Sequence, residues 1–173
     1  MIGSAPCLEK DLAGIMSLLS EIDPATMRLD DQSDLMAIGL DCADRYLGRI
    51  EHVVTLHPED FPQFHERREK AGGNLDYDTH TLIMSQPVVK HQMWPYMPPS
   101  GSSSLFGVEI AIKLNYKKII IAGVLLERGS KYEKYQRGWL ARYELIKNQV
   151  KAMSGYPQEL LGAPTMEWIN GKY

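Results

Sequence analysis

The sequence predicts an α/β fold, a Rossmann-like three-layer sandwich around a mostly parallel central sheet, on three observations. Short apolar runs alternate with amphipathic segments along the chain, the pattern of repeated strand–helix–strand units. The chain opens on Met1-Ile2-Gly3, a short strand that runs into the turn Gly3-Ser4-Ala5-Pro6-Cys7-Leu8. A helical stripe of Leu8, Leu12, Ile15, Met16 and Leu19 follows at once. Finally, Ile119-Ile120-Ile121-Ala122 reads as a buried central strand, closed by Gly123.

The other elements follow in order. Residues 35–40 form the second strand and lead into Asp41-Cys42-Ala43-Asp44. Residues 52–56 form the third, ending at His57-Pro58. Pro58 disfavours helix at His57, while Glu59 and Asp60 suit the first turn of the next helix, which Gly72-Gly73-Asn74 stops. Residues 81–84 are a fourth strand. The one long loop covers residues 85–101, with Pro87, Pro95, Pro98, Pro99, Trp94 and Tyr96. Gly101-Ser102-Ser103-Ser104 then opens a helix with Leu105, Val108, Ala111 and Ile112 on its inner face. A further helix over roughly 135–148 directs Leu140, Tyr143, Leu145 and Ile146 to the core. Residues 150–153 make the last strand, Ser154-Gly155 its turn, and a short helix around Trp168 closes the chain. No internal repeat appears, and residues 1–173 read as one nucleotide-binding domain.

Composition narrows the function. The formal charge is −3, with 44% hydrophobic and 24% charged residues. The cations are scattered among acids, so no nucleic-acid-tracking face is visible. The longest apolar run, residues 119–126, falls far short of the roughly 20 residues a membrane helix needs. The start lacks a signal-peptide pattern, and two cysteines, Cys7 and Cys42, make no disulfide framework. The expectation is a soluble protein of a reducing cytoplasm, with a small-molecule partner, no nucleic acid and no membrane.

Candidate binding residues gather where strands hand over to helices. Gly3 lets a backbone approach closely and Ser4 adds a hydroxyl, at the start of a helix whose free N–H groups attract an anion. A plain strand–helix turn explains the same residues. Ser102, Ser103 and Ser104 supply three hydroxyls at one helix start, a cradle for phosphate or carboxylate, although one of them must be an ordinary cap. Asp41 offers an acceptor for a sugar hydroxyl or base edge, or a helix cap. His57 is a phosphate ligand or proton shuttle, or a hydrogen-bonded rim residue. Tyr132, Tyr135 and Trp139 either wall a base or sugar or form one packed helix face. His52, His65, His80 and His91 show no metal-ligand spacing, and no metal is expected. Cys7 and Cys42 lack a specified basic partner and read as buried thiols.

The order of Gly3-Ser4-Ala5-Pro6-Cys7-Leu8, Asp41, Gly101-Ser102-Ser103-Ser104, Ala111-Ile112-Lys113-Leu114-Asn115-Tyr116-Lys117 and the strand ending at Gly123 resembles the bacterial sialyltransferases of glycosyltransferase family 42. It is similar, over nearly the whole chain, to small uncharacterised bacteriophage proteins of related fold. Those carry stretches like Val54-Thr55-Leu56-His57-Pro58-Glu59, Met153-Ser154-Gly155 and Leu160-Leu161-Gly162-Ala163-Pro164. The resemblance implies a CMP-linked sugar donor, held without metal or resident cofactor. It places Ser4 and Asp41 where the sialyltransferases carry donor-contacting asparagines, Ser102 and Ser103 on their Thr-Ser pair, and Gly123 on the glycine ending their central strand. Leu125 stands in place of their aspartate and Glu127 in place of a tyrosine. No histidine follows His91, where their catalytic histidine would lie.

The expectation is therefore a binder of a nucleotide or CMP-sugar-like nucleotide sugar, with Gly3, Ser4, Asp41, Ser102, Ser103, Ser104 and Gly123 as contacts. In its catalytic version it is a minimal glycosyltransferase with His57 as the base. The alternatives are a non-enzymatic phage accessory protein, a nucleotide sponge or scaffold in the host cytoplasm, and a protein-interaction module using residues 94–99.

Overall fold

The computed structural model describes residues 1–20, 33–46, 48–82, 92–94 and 101–171. Strands β1 (Met36–Ile38), β2 (His52–Val54), β3 (Asp78–Leu82) and β4 (Gln92–Trp94) form a parallel sheet in that order. Strands β5 (Ile119–Ile121) and β6 (Val150–Ala152) form a second parallel pair. Residues 1–3 join the two, because Ile2 bridges in parallel to Ala37 on one side and to Ala122 on the other. The Ile2 amide donates to Met36 O at 2.9 Å, and the Gly3 amide to Ala122 O at 2.8 Å. Across the molecule the row is thus β4-β3-β2-β1, residues 1–3, β5-β6. The chain winds outward to β4, then returns to the opposite side of its own first residues.

Helices α1 (Leu8–Ser20), α2 (Phe61–Lys70), α3 (Ser103–Lys113), α4 (Gln136–Ile146), α5 (Gly155–Leu161) and α6 (Met166–Ile169) complete the described secondary structure, with three short 3-10 turns. Alternation along the strands divides the core in two. Met36, Ile38, Val54, Ile119 and Ile121 pack with Leu105, Phe106 and Val108 of α3 and Trp139 and Ile146 of α4. Ala37, Val53 and Ile2 pack with Leu8 and Ile15 of α1 and with Phe61 and Phe64 of α2. Strands β1, β2 and β5 carry apolar residues on both faces because both faces are covered there.

Several expected boundaries shift. β3 begins at Asp78, earlier than expected, and the expected loop contains β4, while residues 83–91 and 95–100 lie outside the described part. Ser154-Gly155, expected as a turn, begins α5. Met16 is 49% exposed, off the inner stripe of α1. In α4, Leu140 and Leu145 are 60% and 67% exposed. The buried stripe of α4 is carried by Trp139 and Ile146, seven residues apart, with Tyr143 half-buried. A hydrophobic residue's identity does not fix the phase of a helix whose outer face also holds leucines.

Arg68 in α2 shows how the loops after β1 and before β3 are held. It is fully buried and, among the described residues, pairs with no carboxylate. Its guanidinium donates to the backbone oxygens of Ala43, Tyr46, Gly48 and Asn74 and to Asn74 Oδ1, at 2.6–3.3 Å. The fork satisfies carbonyls that would otherwise be orphaned at two loop ends.

Candidate functional site

Parallel strands place all their carboxyl ends on one edge. Gly3 and Ser4, Asp41, His57 and Gly123 therefore share that edge. The start of α3, with Ser102, Ser103 and Ser104, comes down on it too, since α3 leads back to the amino end of β5.

At its centre Gly3 and Gly123 meet backbone to backbone. A Cβ on Gly3 would lie 2.3 Å from Gly123 O, and one on Gly123, at φ 68°, would lie 2.7 Å from Gly3 O. Only glycine fits at either position. The polar groups here bond to one another: Ala5 N to Gly123 O at 3.0 Å, and Gly123 N to Asp11 Oδ2 at 2.8 Å. Asp11, in the first turns of α1, is 3% exposed and also accepts from Ser154 Oγ at 2.6 Å. The Cys7 sulfur lies 3.2 Å from the same Ser154 hydroxyl. Burial raises the Cys7 pKa, which makes this thiol a poor nucleophile. Ser4 is half-buried, and its hydroxyl has no hydrogen bond among the described residues.

The serine cluster divides. Ser102 caps α3, accepting from Leu105 N at 3.4 Å, and its hydroxyl shares a 2.7 Å hydrogen bond with Ser104. Both are buried, at 4% and 7% exposure. Of the three expected hydroxyls, two bond each other inside the helix start, and Ser103, half-exposed, is the one turned to no partner among the described residues. The Tyr135 ring stands beside this start, 3.0 Å from where a Cβ on Gly101 would lie. Tyr132 follows it at 6.3 Å between ring centroids. Lys131 and Lys134 lie over these two rings, at 4.9 and 5.1 Å from their centroids. Exposed Arg128 and Arg137 flank them. Trp139, by contrast, belongs to the core. The segment after β5 therefore brings cations and two tyrosines to the carboxyl edge, which the scatter of basic residues in the sequence did not suggest.

Asp41 points toward α2, where Arg67 Nη1 reaches its Oδ1 at 3.4 Å, while Nη2 and Nε of the same guanidinium clasp Asp44 with three shorter bonds at 2.8–3.2 Å. Hydrogen bonds from Arg67 hold the Asp44 carboxyl below its usual range. His57 is exposed, and its Nδ1 lies 3.3 Å from Glu59. It follows β2, with β1 between it and residues 1–3.

The amino edge holds a constellation that spacing concealed. His52 in β2 and His80 in β3 lie on adjacent strands, and their rings meet with Nδ1 of His52 3.1 Å from Nε2 of His80. Trp94 Nε1 donates to His80 Nδ1 at 3.1 Å, and His52 Nε2 lies 2.9 Å from Tyr116 Oη, which in turn donates to Asp34. An indole is only a donor, so His80 must accept at Nδ1 and carry its proton on Nε2. His52 then accepts at Nδ1 and donates from Nε2. The bonds run one way, Trp94 to His80 to His52 to Tyr116 to Asp34. Burial, with His52 adding to it, pushes the His80 pKa down to about 4. Tyr116 is raised by burial and by its bond to Asp34. His52, Tyr116 and Asp34 also border a cavity of about 620 Å³, walled by Leu12, Ile15, Leu35, Ile120 and Trp168.

No family model, no curated protein and no solved structure matches this chain. No helix among the described residues is long and apolar enough to cross a membrane.

Proposed function

We propose that the chain is a Rossmann-like three-layer protein that binds a nucleotide or nucleotide sugar at the carboxyl edge of its sheet. One observation carries this: the chain leaves residues 1–3 for β1 on one side and returns as β5 on the other. Such a reversal opens a crevice above the two adjoining strand ends, where ligands of doubly wound sheets bind. The start of α3 offers amides and the Ser103 hydroxyl to a phosphate. Tyr132 and Tyr135 suit a base or sugar face, and the lysines beside them suit an anion. The buried carboxylate of Asp11 repels a phosphate from the Gly3–Gly123 contact and directs it toward α3. The activity we propose is binding. His57 is solvent-exposed and lacks the enclosure a tuned general base needs.

The resemblance to family 42 sialyltransferases makes CMP and CMP-sugars the first ligands to try, with UMP and UDP beside them. Calorimetry should find binding to at least one, weakened about tenfold by Ser103→Ala and by Tyr135→Ala. Absence of binding to all of them at millimolar concentration sinks the proposal. Recovery of the nucleotide sugar unmodified after long incubation supports the non-enzymatic accessory role, whereas release of free sugar supports transfer.

A further inference from the structure

We propose that His52, His80 and Asp78 form a site for one divalent transition-metal ion of the zinc class, with His52 Nδ1, His80 Nε2 and an Asp78 carboxylate oxygen as ligands. The site lies at the amino edge and is independent of the nucleotide reading. The register of β2 and β3 sets His52 directly opposite Asp78, and strand alternation puts Asp78 and His80 on one face. The three ligand atoms lie within 4.8 Å of one another. Metal bonds of about 2.0–2.1 Å in tetrahedral geometry hold ligand atoms about 3.4 Å apart. The imidazole pair, at 3.1 Å, is already near that spacing. Asp78 Oδ2 is 4.0 Å from His52 Nδ1 on a side chain 60% exposed, so it is free to close the remaining distance.

The donor set and its surroundings both suit such an ion. Two neutral imidazoles and one carboxylate favour zinc, cobalt or nickel over magnesium or calcium. His80 closes the inner side, being fully buried, while the exposed Asp78 side leaves room for water to complete the coordination. Behind His52, the Tyr116–Asp34 pair receives the Nε2 proton and so keeps Nδ1 bare, the tautomer a metal requires. His80 differs. To ligate through Nε2 it must carry its proton on Nδ1, and the Trp94 indole then loses its acceptor. Metal and Trp94 therefore compete for one ring, which ties occupancy of the site to the end of β4.

The test uses the full chain without a histidine tag, treated with chelator and dialysed. Zinc is titrated by calorimetry and cobalt by visible absorbance. One ion per chain is expected, with d–d bands for cobalt and a change in tryptophan fluorescence. His52→Ala should abolish binding and Asp78→Asn, a surface change that spares the fold, should weaken it at least tenfold. His65→Ala, an exposed histidine outside the cluster, should leave it unaltered. Lack of saturable one-to-one binding, or binding that survives either cluster substitution unchanged, overturns the site.

Discussion

At the carboxyl edge the tight contacts are between backbone atoms, whereas at the amino edge they run through side chains. Gly3 and Gly123 abut with no side chain between them, and the nearby amides are taken by carbonyls and by Asp11. What remains for a ligand is peripheral: Ser4, Ser103, the helix start and the tyrosine–lysine segment. The amino edge instead places five polar side chains in one directed series beside a cavity of mixed lining. The first arrangement leaves space for a guest. The second is complete by itself, and a metal would replace its His80–His52 bond and cost Trp94 its acceptor.

This contrast is sharpest at Gly3→Ala. A methyl group 2.3 Å from Gly123 O forces the central strands apart, and a loss of about 4 kcal/mol or more is expected, beyond the usual range for a single substitution. A melt of unchanged midpoint would show that the backbone contact is dispensable. Asp11→Ala comes next. It strands the Gly123 amide and the Ser154 hydroxyl, for an expected cost of about 2–4 kcal/mol in denaturant unfolding. Tyr116→Phe breaks the amino-edge series between His52 and Asp34. It should cost about 1–2 kcal/mol while leaving nucleotide affinity unchanged, and a drop in that affinity would couple the two edges.

Acid should separate the edges too. His80 is neutral when folded, with its pKa lowered by burial to about 4 from an ordinary 6.5. Between those values the unfolded chain binds a proton that the folded chain does not. With chelator present, stability should therefore hold above about pH 6.5 and decline as the pH falls toward 4. Urea midpoints measured across that window check this, and His80→Gln should flatten the slope. The smallest expected stability effect is Ser103→Ala, within about 0.5 kcal/mol, because its hydroxyl has no partner among the described residues.

The parallel strands and the opening strand–turn–helix were legible because burial on both faces leaves unbroken runs such as 119–122, and because Leu8 and Ile15 keep a helical period. Helix phase was less so. Leu140 and Leu145 look like core residues and face outward, since Trp139 and Ile146 already fill the space beneath α4. The serine run signalled a helix start correctly, but nothing in three consecutive serines reveals that the outer two bond each other. The histidine cluster was invisible for a plain reason. His52 and His80 are 28 positions apart, and only the register of β2 against β3 brings them together. Spacing within one segment finds ligands on one helix or loop, not across a ladder.

Residues 1–3 have a consequence for the order of assembly. They pair on one side with β1, and on the other with a strand 119 positions away, where the first amine donates to Ile120 O at 2.7 Å. Pairings between such distant segments form late, because a large loop must close before any bond rewards it. On a ribosome, the earliest residues of this domain would wait with one flank open until β5 emerges. A refolding experiment followed by pulsed hydrogen exchange should find the Gly3 amide, which bonds to Ala122, protected among the last, well after the Ile2 amide beside it.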